Sequence, residues 1–281
     1  MVRRRGRVER LVARLPRLRA PRPGVAVLCY HSVERTGAGH QSATPRQFGD
    51  HLDWLAEHAR VIPLRDLFVP QPDDDDRPTV SITFDDGYRD NHEIALPALV
   101  ERGLTATFFV TSGFIDGDRQ VSARMAAGWS DPPPTLAPMS WGQVDELMDA
   151  GMEVGGHTRT HRDLAGCHGR ELAREIAADR ERIAARTGRP PTSFAYPFGR
   201  PGHHVTAETV ESAESAGYRT AVTVSFRRAT LADHPFAVPR IPVNHDDVDL
   251  LAAKCRGRLD PLGTVQDGRA LDDLRASRIA A

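Results

Sequence analysis

An α/β chain with one parallel sheet, wound toward a barrel, is the fold class this sequence predicts. Three observations lead there. Short runs rich in β-branched and aromatic residues recur near 25–30, 79–84, 105–110, 152–155, 193–196, 220–224 and 238–241, the signature of buried strands. Segments of helical periodicity lie between several of them, and such alternation implies parallel strands joined by right-handed crossovers. At 281 residues the chain suits one large core, a length that α/β barrels commonly use as a single unit. No internal repeat is present.

The first strand candidate, Val25-Ala26-Val27-Leu28, runs into Cys29-Tyr30-His31-Ser32, which places His31 at a strand end. A helix should follow from Thr44, Pro45 and Gln47, which serve as cap, first-turn proline and box partner, with Phe48, Leu52 and Leu55 as its apolar stripe. Thr79-Val80-Ser81-Ile82-Thr83-Phe84 reads as a buried strand and meets Asp85-Asp86-Gly87. Neighbouring side chains on a strand face opposite ways, so both carboxylates can enter one site only where the strand ends and the backbone rotates, as Gly87 permits. Ser140 and Gln143 open another helix, Ala150-Gly151 closes it, and Met152-Glu153-Val154 makes a short strand. Gly155-Gly156 then loosens the backbone before His157. With His161 four residues on, one helical turn would put both rings on one face. A helix from about Arg170 to Thr187, stopped by Gly188, turns Leu172, Ile176 and Ile183 inward.

The C-terminal edge of a parallel sheet is where α/β proteins bind ligands. Two carboxylates and two histidines meeting there can hold one metal ion and leave a base beside it. Two His and one carboxylate with an open position make a hydrolytic zinc centre, and a spare carboxylate suits a metal-bound water. Neither element is decisive alone, since Asp-Asp-Gly turns and His pairs are common; their joint placement at strand ends carries the reading.

These residues carry a resemblance. The Thr83-Phe84-Asp85-Asp86-Gly87 segment with His157-Thr158-Arg159-Thr160-His161 resembles the polysaccharide deacetylase family, also called the NodB-homology or carbohydrate esterase family 4 domain. Tyr196-Pro197-Phe198-Gly199, the stretch Ala216 to Val222 and Cys29 to Ser32 fit one branch of it, and the likeness spans roughly residues 24 to 245. It implies a single-domain distorted (β/α) barrel of about seven parallel strands. It implies hydrolysis of acetyl groups from N-acetylated amino sugars of a polysaccharide, glycolipid or cell-wall intermediate, with a metal-bound water as nucleophile. Asp85 is then the base, while Asp86, His157 and His161 hold one divalent ion, zinc first, with cobalt, nickel and iron sharing the ligand set. The Tyr196 backbone N–H would hold the oxyanion. The late Leu-x-His motif that supplies the acid in many members is missing, so His31 is the preferred acid and His245 the stand-in. The arginine that usually precedes the third motif is missing too, and Arg240 is the candidate to supply that charge from another strand end, against the plain reading of a surface arginine.

Two other functions would suit parts of this pattern. Two His and a carboxylate also suit a non-haem iron oxygenase, but such sites keep the carboxylate close to the first histidine and sit in all-β folds. A carbohydrate-binding member without chemistry is the alternative within the fold, and the retained Asp85, Asp86, His157 and His161 argue against it.

Composition excludes other classes. A formal net charge of -1 gives no basic field for nucleic acid, and no phosphate loop or dinucleotide fingerprint is present. Cys29, Cys167 and Cys255 form no CxxC pair and read as reduced structural thiols. The expected layout is a basic tail over 1–22, the catalytic domain over 23–249 and a charged C-terminal tail over 250–281, read as a peripheral helix or a frayed end. The first 22 residues hold nine arginines and no continuous apolar stretch, so neither a Sec signal nor a membrane span is expected. Cytoplasmic residence follows as an expectation, with peripheral contact of the basic tail at the inner membrane surface. Asp73–Asp76 read as a solvated linker, and 116–138 as a loop bordering the substrate groove.

Overall fold

The computed structural model describes residues 23–34, 42–70, 76–127 and 136–268. The expectations for the basic tail, for most of the acidic linker, for Pro132-Pro133-Pro134 and for the last 13 residues lie outside them.

Seven parallel strands form the frame. In spatial order they are Ile241–Pro242 (β10), Val25–Tyr30 (β1), Thr79–Phe84 (β5), Thr107–Val110 (β6), Glu153–Gly156 (β7), Ser193–Ala195 (β8) and Thr220–Val222 (β9). The short β4 (Arg60–Val61) pairs with the first half of β5, and β6 pairs with its last two residues. A minor ribbon joins β2 (Ser32–Val33) and β3 (Ser42–Ala43). The chain leading into β10 bonds to β9, through Thr223 N to Val238 O (2.7 Å) and Val238 N to Ala221 O (3.0 Å). Since β10 pairs with β1 on its other side, the sheet curls round on itself as a distorted (β/α) barrel, as expected.

Local chemistry explains the helices. In α1 (Pro45–His58) both halves of the Thr44–Gln47 capping box form, and Phe48, Leu52 and Leu55 are buried. In α5 (Trp141–Asp149) Ser140 and Gln143 do the same. The long α6 (Gly169–Thr187) buries Leu172, Ile176 and Ile183 and ends at Gly188 in the left-handed region, φ 71°. The largest buried cluster joins Leu28, Phe48, Ile82, Phe84, Phe108 and Val110 between sheet and helices.

Three expectations need correction. Residues 119–126 form helix α4 inside the stretch read as loop, capped by Asp118 and pinned through Val121 and Met125. One capping aspartate and two apolar residues four apart are too weak a pattern to stand out. The glycines at 155 and 156 lie inside β7 rather than after it. A Cβ at Gly155 would stand 2.4 Å from the Phe109 ring, so this position serves close packing. Finally, the boundary at 249 falls within α8 (Val248–Cys255), where Leu250, Leu251 and Cys255 are buried. Helix α9 (Asp260–Asp267) is tied back by Arg227, which bonds Asp267 Oδ2 at 2.6 Å and Asp233 at 2.8 Å. Lys254, the sole lysine, is buried and donates to Pro242 O and Asp246 Oδ2, both at 2.7 Å. Helix was one of the two expected outcomes here, but the charged residues form internal pairs and pack the described part onto the domain, which composition alone does not show. No described helix is long and apolar enough to cross a membrane.

Candidate active site

The site lies beyond the C-terminal ends of β1, β5, β7 and β8. Asp85 still follows the ladder, its N–H donating to Tyr30 O at 3.0 Å. The backbone then swings through two left-handed residues, Asp86 at φ 80° and Gly87 at φ 84°. A non-glycine in that region is uncommon and costs on the order of 1–3 kcal/mol. The turn thus starts one residue earlier than expected, and it sends adjacent carboxylates to different partners. Met139 N donating to Gly87 O (3.0 Å) and Arg89 N donating to Ala137 O (2.8 Å) fasten the segment beyond it.

Asp85 belongs to a closed electrostatic unit. Arg240 Nη1 and Nη2 donate to its two oxygens at 2.6 and 2.7 Å, a bidentate pair. Arg240 is fully buried, with Nε on Thr223 O (3.2 Å), Nη1 also on Thr83 Oγ1 (3.2 Å), and its guanidinium over the Phe109 ring. It reaches Asp85 from within the barrel, through the extended chain before β10, and is no surface residue. Burial would raise the Asp85 carboxyl, but the charge and hydrogen bonds of Arg240, together with His157 and His31, outweigh it and hold the group below its ordinary value. Cys29 Sγ lies 3.6 Å from Asp85 Oδ2, its thiol pushed well up by burial. His31 Nε2 stands 3.9 Å from the same oxygen. Burial lowers the His31 pKa although Asp86 and Asp85 oppose it, and its Nδ1 has no hydrogen-bond partner among the described residues.

Asp86 faces a different set. Its Oδ1 lies 3.4 Å from His157 Nε2 and 3.2 Å from His161 Nε2. His157 Nδ1 is 2.7 Å from Ala195 O, so that nitrogen carries the proton and Nε2 presents its lone pair to the carboxylate. Asp86 Oδ1 is buried without a hydrogen bond. A carboxylate oxygen held out of water beside two ring nitrogens calls for a proton donor or a cation. Burial would raise Asp86, yet the two imidazoles hold it well below the usual range. Burial lowers His157, yet Asp85 and Asp86 outweigh it and raise the ring. One ligand atom from each of Asp86, His157 and His161 lies within 4.8 Å of the others. This donor set fits a divalent ion that accepts mixed nitrogen and oxygen ligands. Cys29, His31 and Asp85 meet the same distance limit, but there the Arg240 charge already neutralises the carboxylate and repels a second cation.

The structure therefore brings together Asp85, Asp86, His157, His161, His31 and Arg240. It leaves His245 exposed, at φ 48°, outside both clusters. The His157–His161 segment is not the helical turn expected. Thr158 and His161 have φ of 68° and 54°, and the loop folds the rings to a centroid distance of 5.1 Å. Tyr196 follows β8 as expected, but its N–H donates to Val222 O at 3.3 Å and its hydroxyl to Phe236 O at 3.0 Å. It is therefore not the open donor that the resemblance implies. Phe198, two residues on, was missed. It sits at φ 61°, is 56% exposed, and packs its ring 5.3 Å from that of His161. Its presence in the quoted motif, beside Gly199, was the available signal.

Comparison with known proteins agrees with this geometry. The profile of the polysaccharide deacetylase family matches residues 73–221, more than half of the 281-residue chain. The chain belongs to that family. YxkH of Bacillus subtilis (strain 168), named for the same family, is 26% identical over 222 residues, covering 78% of this chain and 71% of YxkH. Among solved structures, the Streptococcus pyogenes deacetylase PplD in complex with acetate superposes with a TM-score of 0.69 at 20% identity, over 84% of this chain and 99% of that one. IcaB from Ammonifex degensii gives 0.66 at 24% identity, over 85% and 99%. At these identities the likeness establishes the barrel fold. Family membership makes the protein a hydrolytic deacetylase with an acetylated carbohydrate as substrate.

Proposed function

We infer that this deacetylase removes the acetyl group from an N-acetylated amino sugar and uses one divalent ion, zinc first, held by Asp86, His157 and His161. The supporting observation is the buried Asp86 Oδ1, which makes no hydrogen bond and faces two imidazole nitrogens, beside an Asp85 whose charge is already balanced. When bound, the ion would polarise the acetyl carbonyl and acidify water.

The protein's own residues supply the rest. Asp85, kept ionised by Arg240, stands ready to take a proton from the attacking water. His31, 3.9 Å from Asp85 Oδ2, can pass that proton to the departing amine. Its neutral resting state suits a group that takes up a proton only after Asp85 has received one. Phe198 replaces Tyr196 as the backbone donor for the oxyanion, because its amide makes no hydrogen bond to another described residue. The ring of His157 is held by Ala195 O, which fixes the tautomer.

The test is acetate release from N-acetylglucosamine oligomers and from O-acetylated glycans, with the metal stripped by a chelator and then restored. Acetate from the N-acetylated series only with metal present supports this reading. Acetate only from the O-acetylated series would move the substrate to a carbohydrate ester. Undiminished release without metal would refute the assigned ion.

A further inference from the structure

We propose that helix α6 is the positioning element of the metal centre, with Glu175 and Asp179 holding the His157–His161 loop in its ligating conformation. The proposal rests on the reading of Asp86, His157 and His161 as metal ligands.

The loop needs such a holder. Two of its five residues, Thr158 and His161, adopt left-handed backbone angles, a conformation that persists only where surroundings impose it. Helix α6 supplies that constraint. Asp179 Oδ2 accepts from His157 N, and Oδ1 from Ser112 N after β6, each at 3.0 Å. Glu175 receives three more bonds: Arg159 N to its carbonyl (2.9 Å), Thr160 N to Oε2 (2.9 Å) and Thr160 Oγ1 to Oε1 (2.7 Å). Residues 175 and 179 are one helical turn apart and share a face, and both are buried. Buried carboxylates are costly unless they collect donors, and here the donors belong almost entirely to the segments that present the metal ligands. Gly156 makes the approach feasible, because a Cβ there would lie 2.7 Å from Asp179 Oδ2. The amides of 157, 159 and 160 are thus fixed by α6. Thr158 Oγ1 takes the amide of His161 at 2.9 Å.

The test measures Zn²⁺ affinity without substrate, by competition with a chromophoric chelator, on variants shown to be folded by circular dichroism. Glu175→Ala is expected to weaken Zn²⁺ binding by ~10–100-fold, the range for groups behind metal ligands. Glu175→Gln, which keeps one acceptor for the loop, should recover part of that loss and guards against a Glu175→Ala chain that does not fold. Leu172→Ala removes a buried side chain from the same helix and lowers the melting temperature, but should leave Zn²⁺ affinity within about 3-fold, well below that range. Affinity in Glu175→Ala within the same margin, or an equal loss in Leu172→Ala, would overturn the proposal. An unmodified chain that binds no Zn²⁺ would overturn the metal centre itself and this role with it, and it is read from a separate sample.

Discussion

Asp85 and Asp86 are adjacent in sequence and buried in the same site, yet their charges are answered in opposite ways. Asp85 meets a guanidinium inside the protein and needs nothing from outside. Asp86 Oδ1 meets two imidazole nitrogens and makes no hydrogen bond. The difference comes from a backbone turning left-handed at Asp86, which sends one side chain into the barrel and the other across its rim. One dipeptide thus offers a carboxylate balanced from within the barrel and another that faces two imidazoles across the rim. Burial acts alike on both, and the partners decide.

The sharpest way to break this contrast is His157→Ala. It should abolish metal binding at micromolar metal, an effect beyond the ~10–100-fold cost of changes behind the ligands, while Asp85 keeps its arginine. Metal retained at unmodified affinity would dissolve the assigned ligand set. A smaller effect should separate the acid candidates. His31→Ala is expected to lower kcat by roughly 10²-fold or more with metal still bound, within the range for proton transfer. His245→Ala should stay near the unmodified value, since the residue lies outside both clusters, and the reverse ranking would return the acid role to His245.

The smallest effect lies behind His31. Asp90 accepts from Ser32 Oγ, and Asn91, which bonds Asp90, also donates to His31 O at 2.7 Å. Burial pushes the Asp90 pKa up to about 7 despite these bonds, against roughly 3.9 for an unfolded aspartate. The folded chain therefore keeps a proton that the unfolded chain releases between those values. This contribution is complete below about pH 4 and is lost as pH rises through 7. Melting curves of Asp90→Asn and of the unmodified protein should accordingly diverge from pH 5 to pH 8, with the unmodified protein losing ground. Parallel curves would count against a protonated Asp90.

Much of this was legible in the sequence because it depends on local rules. The Thr44–Gln47 and Ser140–Gln143 boxes, the Gly188 stop and six of the seven strand runs formed where residue type and period placed them, while the run expected at 238–241 is strand only over Ile241–Pro242. Asp85, Asp86, His157 and His161 were legible as a set because strand ends gather at one rim. What escaped depends on distant partners. The His157–His161 spacing suggested a helical turn, but Glu175 and Asp179 take the loop amides and impose another path. The depth of Arg240 follows from sheet closure between β9 and β1, which no local pattern records. The Tyr196 amide is turned away from the site because it enters the ladder with Val222.

The most direct measurement compares the two aspartates by metal titration of Asp85→Asn and Asp86→Asn on equal amounts of folded protein. Asp85→Asn should bind one divalent ion per chain with almost no turnover, and Asp86→Asn should bind none. Equal binding by both variants, or binding lost only in Asp85→Asn, would contradict the assigned roles.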